Sequence, residues 1–415
     1  MKLFKNLLLV LVAWRGANSA FAQTWTQTSA STNLNWGSVA CSADGTKLAA
    51  LASDIYGYYT SWVSTNSGAT WTATSLPNTT DVIGKLLLSA DGTKLVASDT
   101  AGFMYTSTDL GNTWISNTVP TGFLLPIALS ADGTKMVAEG DTSTNDVIFT
   151  STNSGTTWVS NNIPVNSALF GATSADGIRM VVTGMTIQGP SYVFTSTNSG
   201  ATWSDGVPAG GNLLYSVAFS ADGTKLVTGG EAPSETPFML TSTNSGATWT
   251  SNSLPSLSAM WKSFALSADG NTLVAVATSV NLDLKLEGHI LTSTNLGATW
   301  SLADAPVECW SGVACSADGC QLAASAFAEA APPFSLGGIY TARTIPAPRL
   351  CLSPKSSNLQ LSWIIPSTNF MMQQSADLQN WVDMTNQPVL NLTNLQNEVI
   401  LPPPGSNVFY QLKTP

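Results

Sequence analysis

Short apolar runs of three to five residues recur along most of the chain, each bounded by a turn signal. Val39-Ala40-Cys41 is followed by a polar turn and then by Leu48-Ala49-Ala50, and the same order returns again and again. Runs this short, set off by Gly, Asp, Asn, Ser and Thr, predict β-strands joined by hairpins rather than helices. Two motifs punctuate them in alternation. The first, S-A-D-G, occurs seven times, with its aspartate at Asp44, Asp91, Asp132, Asp176, Asp222, Asp269 and Asp318. Asp-Gly tolerates the backbone angles of a tight hairpin, so these aspartates are expected to be structural turn residues. The second motif is S-T-N-S-G-A-T-W with close variants, its tryptophan at Trp71, Trp114, Trp158, Trp203, Trp249 and Trp300. Here Asn66, Asp109, Asn153, Asn198, Asn244 and Asn295 can accept hydrogen bonds from their own turn, the glycine supplies an unusual dihedral, and the tryptophan opens the next strand.

Each period therefore carries two hairpins and four strands. The aspartates of the first motif are 47, 41, 44, 46, 47 and 49 residues apart. A repeat of this length with four strands is one blade of a β-propeller. Two positions before each turn serine stands a small residue suited to a crowded innermost strand: Ala40, Ala128, Ala172, Ala218, Ala265 and Ala314, with Leu87 as the exception. Seven first hairpins meet only six second ones. The seventh blade has its third strand at residues 338–341 and lacks a fourth, which Thr24-Trp25-Thr26-Gln27 can supply, because Trp25 precedes Trp71 by one period of 46 residues. The expected fold is all-β: a seven-bladed β-propeller over residues 23–344 closed by an N-terminal strand.

Outside the repeat the chain changes character. Lys2 and Lys5, the apolar stretch from Leu7 to Trp14 and Ala20-Phe21-Ala22 have the order of a secretory signal peptide over residues 1–22. The expected location is secreted, periplasmic or cell surface, and no segment is long and apolar enough to predict a membrane span. Residues 345–350 form a Pro-rich linker, and residues 351–415 read as a small β-sandwich-like domain. The five cysteines, Cys41, Cys309, Cys315, Cys320 and Cys351, leave at least one unpaired within the chain, and no pair can be assigned.

At this point the residues resemble a known family. S-x-D-x-G-x-T-W is the Asp-box, or BNR repeat, of sialidases, sortilin-like receptors and photosystem-assembly propellers. Six boxes over residues 64–300 carry the likeness, with asparagine in place of the box aspartate everywhere except Asp109. The resemblance implies the fold and says little of function, because the box is a folding turn away from the active face. Sialidases grip their substrate with three converging arginines, and beyond the signal segment only Arg179, Arg343 and Arg349 remain, too scattered to converge. Sialidase activity is not expected. Residues 351–415 resemble the fibronectin-type or Ig-like modules of large secreted bacterial proteins.

Charge removes further classes. Charged residues make up 10 % of the chain, and the formal net charge is -10. Without Lys2, Lys5 and Arg15, 12 basic residues face 25 acidic ones, a balance of -13. Such a body repels phosphate backbones and has no basic stripe, so nucleic acid is not an expected partner. No cofactor or metal motif occurs, His289 stands alone, and no catalytic residue is assigned.

Carboxylates remain on the loop face, opposite the hairpins: Asp54, Asp81, Asp99, Glu139, Asp141, Asp146, Glu231, Glu235, Asp283, Glu287, Asp304, Glu308 and Glu329. Two of them could form a glycosidase pair, although a solvated acidic rim is the simpler reading. Six positions before the turn serine, three neighbouring blades carry Trp36, Trp261 and Trp310. As an aromatic arc at the channel mouth they are candidate binding residues for sugar rings, against the alternative that each packs between blades. The expected function is a non-catalytic binding or scaffold propeller whose partner is a glycan or an extracellular protein. The alternatives are a carboxylate-dependent glycoside hydrolase and a purely architectural envelope module.

Overall fold

A computed structural model describes residues 24–413 apart from 78–84, 100–102, 120–123, 143–144, 162, 164–166, 186–190, 205, 209–212, 232–235, 253–258, 281–285, 328–336, 344–349, 357, 365–370, 387 and 403–407. Residues 1–22, expected to be a signal segment, and nearly all of the expected Pro-rich linker lie outside the described residues. Every regular element among those described is a β-strand.

The strands build small antiparallel sheets in chain order. Sheet 1 comprises Asn35–Cys41, Leu48–Ser53, Tyr59–Ser64 and Thr72–Thr74. Sheet 2 comprises Leu87–Leu88, Leu95–Ser98, Phe103–Ser107 and Ile115–Thr118. Sheet 3 comprises Leu124–Leu129, Met136–Thr142, Asn145–Ser151 and Val159–Asn161. Sheet 4 comprises Ser167–Thr173, Met180–Met185, Ser191–Ser196 and Val207–Pro208. Sheet 5 comprises Leu213–Phe219, Leu226–Glu231, Pro237–Ser242 and Thr250–Ser251. Sheet 6 comprises Ala259–Leu266, Leu273–Val280, Leu286–Ser293 and Ser301–Leu302. Sheet 7 takes Cys309–Cys315, Gln321–Phe327 and Gly338–Arg343, and its fourth strand is Thr26–Gln27 from the other end of the chain. In that closure Thr26 pairs with Thr341 and Gln27 with Tyr340, and Thr28 N–H donates to Ile339 O at 2.8 Å.

The second strands are apolar on both faces, and both faces are covered. Leu48 to Leu51 and Leu273 to Ala277 are at most 1 % exposed. Cover comes from the neighbouring sheet. Ile127, Val137 and Ile148 of sheet 3 meet Met180, Val182 and Phe194 of sheet 4. Val274, Val276 and Ile290 of sheet 6 meet Leu322, Ala324 and Tyr340 of sheet 7. Trp36 and Ala50 of sheet 1 meet Ile339 of sheet 7, so the last sheet packs on the first. The first strands touch each other in the same circular order and surround a central channel.

The hairpins facing the channel build its narrow end. In each S-A-D-G turn the serine hydroxyl donates to the aspartate: Ser42 Oγ lies 2.6 Å from Asp44 Oδ1, which also accepts Thr46 N–H at 3.0 Å. The alanine between them bonds to the next sheet. Ala43 N–H donates to Ala90 O, Ala90 to Ala131, Ala131 to Ala175, Ala175 to Ala221, Ala221 to Ala268, Ala268 to Ala317, and Ala317 back to Ala43, all at 2.7–2.9 Å. Outside this ring runs a second set of latches. Lys47, Lys94, Lys135 and Lys225 donate Nζ–H to the carbonyls of Asp91, Asp132, Asp176 and Asp269 at 2.6–2.7 Å, and Arg179 reaches Asp222 O at 3.0 Å.

The second hairpins close on their own side chains. Ser64 Oγ donates to Asn66 Oδ1 at 3.0 Å and accepts Gly68 N–H at 2.9 Å, while Asn66 Nδ2–H donates to Thr70 Oγ1 at 2.9 Å. At Asp109 that last bond reverses, and Thr113 Oγ1–H donates to Oδ2 at 2.7 Å. The threonine hydroxyl donates or accepts as its partner requires, so either residue makes the turn. Two successive residues take positive φ, Ser67 at 57° and Gly68 at 91°.

The C-terminal residues form a four-stranded sheet of Cys351–Lys355, Asn358–Ile364, Gln396–Leu401 and Val389–Asn391, and a three-stranded one of Val382–Asp383, Met371–Ser375 and Phe409–Lys413. Leu361, Trp363, Met372, Val399, Leu401 and Tyr410 are their shared core. A turn here repeats part of the first-hairpin chemistry: Ser375 Oγ donates to Asp377 Oδ1 at 3.0 Å, which accepts Gln379 N–H at 2.9 Å.

Gly177 has φ +62°, and a Cβ there would stand 2.8 Å from Lys135 Cβ and 2.9 Å from Ser130 Cβ. Gly177→Ala is expected to destabilise the protein by about 1–3 kcal/mol, read from chemical denaturation. A pH dependence follows from the turn aspartates. At Asp91, Asp132 and Asp222 burial opposes ionisation, but hydrogen bonds from the turn serine and threonine and the charge of the latch lysine outweigh it, so all three carboxyls titrate low. Their stabilisation is complete above the unfolded aspartate value, about 3.9, and is lost as pH falls through the lower folded values. Thermal midpoints should fall steadily below about pH 4; a flat profile from pH 5 to 2 would refute this.

Candidate functional site

The first strands do not run straight. The pairing register skips one residue near the start of six of them, between Trp36 and Ser38, Pro126 and Ala128, Ala168 and Phe170, Leu214 and Ser216, Trp261 and Ser263, and Trp310 and Gly312. A bulge bends its strand and re-aims side chains. Here it turns Trp36, Trp261 and Trp310 into the protein, where they are 0 %, 2 % and 2 % exposed. Trp36 packs on Trp62 and Trp71, and its indole N–H donates to Ser31 O at 2.9 Å. Trp261 packs on Phe264 and Trp300, and Trp310 on Trp25 and Tyr340. The aromatic arc expected from sequence is therefore not a surface: no ring face of the three is open to a sugar, and the packing alternative describes where they sit.

On the channel side of the bulges lies a chamber of about 480 Å³, lined by all seven sheets. Its wall combines apolar residues (Leu86, Leu125, Phe170, Val217, Phe264) with serines. The serines hold adjacent sheets together: Ser38 Oγ accepts Leu86 N–H at 3.3 Å, and Ser216 Oγ accepts Phe264 N–H at 3.0 Å. Two lysines also line it. Lys85, half-buried, reaches from sheet 2 to sheet 4, its Nζ 5.2 Å from the centre of the Phe170 ring. The apolar surroundings lower its ammonium to about 8. Lys262, the bulged residue of sheet 6, has its Nζ 6.0 Å from the centre of the Tyr215 ring. Sequence reading passed over both, because a lone lysine carries no motif.

Toward the hairpin end the channel narrows to a cavity of about 180 Å³, lined by Cys41, Cys315 and the alanine ring. Leu395 of the C-terminal module closes that lining, and Leu392 packs beside it on Ala131, Ala175 and Ala221. None of the five cysteines joins a disulfide. Burial pushes both channel thiols up, Cys315 to about 12 with help from Asp318 and Asp269, so neither is a nucleophile near neutral pH.

Four of the loop-face carboxylates, Asp54, Asp99, Glu231 and Glu308, are engaged in hydrogen bonds. Asp99 accepts Tyr105 O–H at 2.6 Å and Phe103 N–H at 2.9 Å. Glu231 accepts Tyr215 O–H, and Glu308 accepts Tyr340 O–H, both at 2.8 Å. Asp54 accepts Tyr56 N–H at 2.8 Å and Tyr58 N–H at 2.9 Å. That last turn shapes the surface, because it holds Ile55, Tyr56 and Tyr58 out at 80 %, 79 % and 50 % exposure. Phe103, the first residue of the third strand of sheet 2, is exposed as well. Asp81, Glu235, Asp283 and Glu329 lie outside the described residues. His289 lies on the third strand of sheet 6, its Nε2 3.3 Å from Ser279 Oγ.

Solved structures of similar shape are β-propeller proteins. The GH74 enzyme of Niastella koreensis matches at TM-score 0.57 and 13 % identity, over 94 % of this chain and 73 % of that one. Hydrazine synthase of Kuenenia stuttgartiensis matches at 0.57 and 14 %, over 77 % and 97 %. YCF48 bound to a D1 peptide matches at 0.53 and 14 %, over 79 % and 98 %. At such identities the likeness shows the fold, an all-β propeller scaffold. No protein-family model matches the sequence, and no curated protein matches it either.

Lys85 carries the prediction here. Its folded value lies below that of an unfolded lysine, about 10.4, so the unfolded chain holds the proton more tightly between the two. Stability contributed at this site therefore rises with pH from about 8 to about 10.4. Lys85→Met should stabilise the protein at pH 7 by about 1–2 kcal/mol, allowing for partial exposure, and should flatten that rise. Denaturation at pH 7 and pH 10 measures both effects.

Proposed function

We propose that this chain is a secreted, seven-bladed Asp-box propeller closed by its N-terminal strand, with a small C-terminal β-module, and that it works as a non-catalytic glycan-binding scaffold. Seven four-stranded sheets in circular contact support the blade count. The serine, asparagine and threonine bonding of the second hairpins supports the Asp-box reading, and Lys2, Lys5 and Ala20-Phe21-Ala22 support export through a signal over residues 1–22.

The observation that carries the binding reading is the turn pinned by Asp54. It accepts two main-chain N–H groups and holds Tyr56 and Tyr58 outward on a fixed backbone. Tyrosines displayed in this way lose little freedom when they bind, and their rings offer an apolar face with a polar tip. A surface rich in hydroxyls and amides and poor in charge suits an uncharged polysaccharide. The role that tryptophans were expected to fill thus passes to tyrosines on the same face.

The test is affinity electrophoresis of the protein through gels containing neutral polysaccharides, with reducing sugar assayed in parallel. Retardation by at least one polysaccharide is expected, with affinity falling about 10-fold or more in Tyr56→Ala/Tyr58→Ala and no sugar released. Sugar release would establish a hydrolase instead. Free migration through every gel would leave a protein partner or a purely architectural role.

A further inference from the structure

The channel chamber poses a question that glycan recognition on the rim does not answer. The protein carries a formal charge of -10, yet two lysines line one cavity, Lys85 half-buried and Lys262 exposed at its edge. Among the described residues the ion pair is Lys355–Glu398 at 3.7 Å, far along the chain, and neither channel lysine makes one. Each ammonium rests against an aromatic ring instead. An ammonium held among apolar walls without a carboxylate is costly, and a cation–π contact offsets part of that cost.

Position makes the pair more specific. Lys85 occupies the place held by Ser38, Ser216 and Ser263 in other sheets, four residues before the turn serine. Replacing that serine also replaces the hydroxyl that latches one sheet to the next. Because its ammonium reaches Phe170, two sheets away, the side chain points across the channel and not along its wall. Lys262 is the residue its bulge leaves out of register, and Tyr215 is its counterpart in the adjoining sheet. Tyr215 is itself bonded to Glu231, so that carboxylate serves the tyrosine hydroxyl.

We propose that the chamber binds a small organic anion with an apolar body and a carboxylate head, the head held by the ammonium groups of Lys85 and Lys262. The volume, about 480 Å³, falls within the range of small-molecule sites. The apolar walls suit the body of such a ligand. A carboxylate on an apolar body fits better than free phosphate, because the apolar walls offer phosphate no partner and the N–H groups of Leu86, Phe264 and Val313 already donate to serines. The alanine ring and Leu395 line the channel at its hairpin end. The facing titratable groups are Lys85 and Lys262, with Tyr215 behind Lys262; burial and its bond to Glu231 push the Tyr215 hydroxyl up to about 12, so it stays neutral where Lys85 titrates.

The experiment is calorimetric titration of the folded protein with phthalate, its neutral diamide phthalamide, and inorganic phosphate. Phthalate should bind saturably, and at least 10-fold more tightly than either of the others. Lys85→Met and Lys262→Met should each weaken it at least 10-fold, whereas Tyr56→Ala/Tyr58→Ala should leave it unchanged, which separates this site from the rim. A second reading needs no variant. With lysines labelled by reductive ¹³C-methylation, phthalate should raise the titration midpoint of Lys85 in NMR spectra. Absence of phthalate binding, equal binding of phthalamide or phosphate, indifference to both substitutions, or an unmoved Lys85 midpoint would each overturn the proposal.

Discussion

A four-stranded sheet that is apolar on both faces, in a chain whose described residues contain no helix, has only other sheets to bury it. Leu48-Ala49-Ala50-Leu51 shows the constraint in four residues: consecutive side chains point to opposite faces, and all are buried. A stack of such sheets always leaves two outer faces wet unless it closes. Closure joins sheet 7 to sheet 1 and ties the first strand of the chain to the last sheet of the repeat. The small residues near the axis follow, because inner strands crowd where outer strands spread.

Closure also organises polarity. Wherever seven hairpins converge, seven sets of main-chain N–H and C=O groups converge with them, and each needs a partner. The alanine ring solves this with one bond per junction, and only a residue with a short side chain lets the backbones approach so closely. What remains at the ring's centre is apolar methyl surface, and the C-terminal module covers it with Leu392 and Leu395. That module is thereby part of the propeller's own burial at one end of the channel. At the other end the bulges leave side chains out of register, and it is there that Lys262 enters the lumen.

Much of the scaffold was legible in the sequence because its turns need particular chemistry. Asp-Gly and Asn-x-Gly mark hairpins through dihedral angles and local hydrogen bonds, and those requirements are written in consecutive residues. The period between motifs then counts strands. The turn at Ser375 and Asp377 shows the limit of that method: its serine and aspartate pair as in the repeat, but without the glycine or the spacing, and so it escaped notice. The position of a side chain around a bulge is harder still. Trp36, Trp261 and Trp310 fall six residues before a turn serine, but one extra residue decides whether that place faces solvent or core, and nothing local announces the extra residue. Lys85 was invisible for a different reason, since its partner Phe170 lies two sheets away and only ring closure brings them together.

The burial of the tryptophans and the exposure of the tyrosines have one origin. Tryptophan is the largest apolar body available, and the widening gap between radiating sheets is the largest space to be filled; Trp36, Trp62 and Trp71 together fill it where sheet 1 meets its neighbours. A ring used as filler cannot also be a contact. The loops beyond the strands carry no packing duty, so an exposed aromatic there is not explained by the core. Tyr56 and Tyr58 stand on such a loop, and the Asp54 carboxylate accepts their main-chain N–H groups and holds them out. Order without burial is what a binding surface requires and what a core does not, which is why the proposed recognition rests on the rim and not on the buried arc.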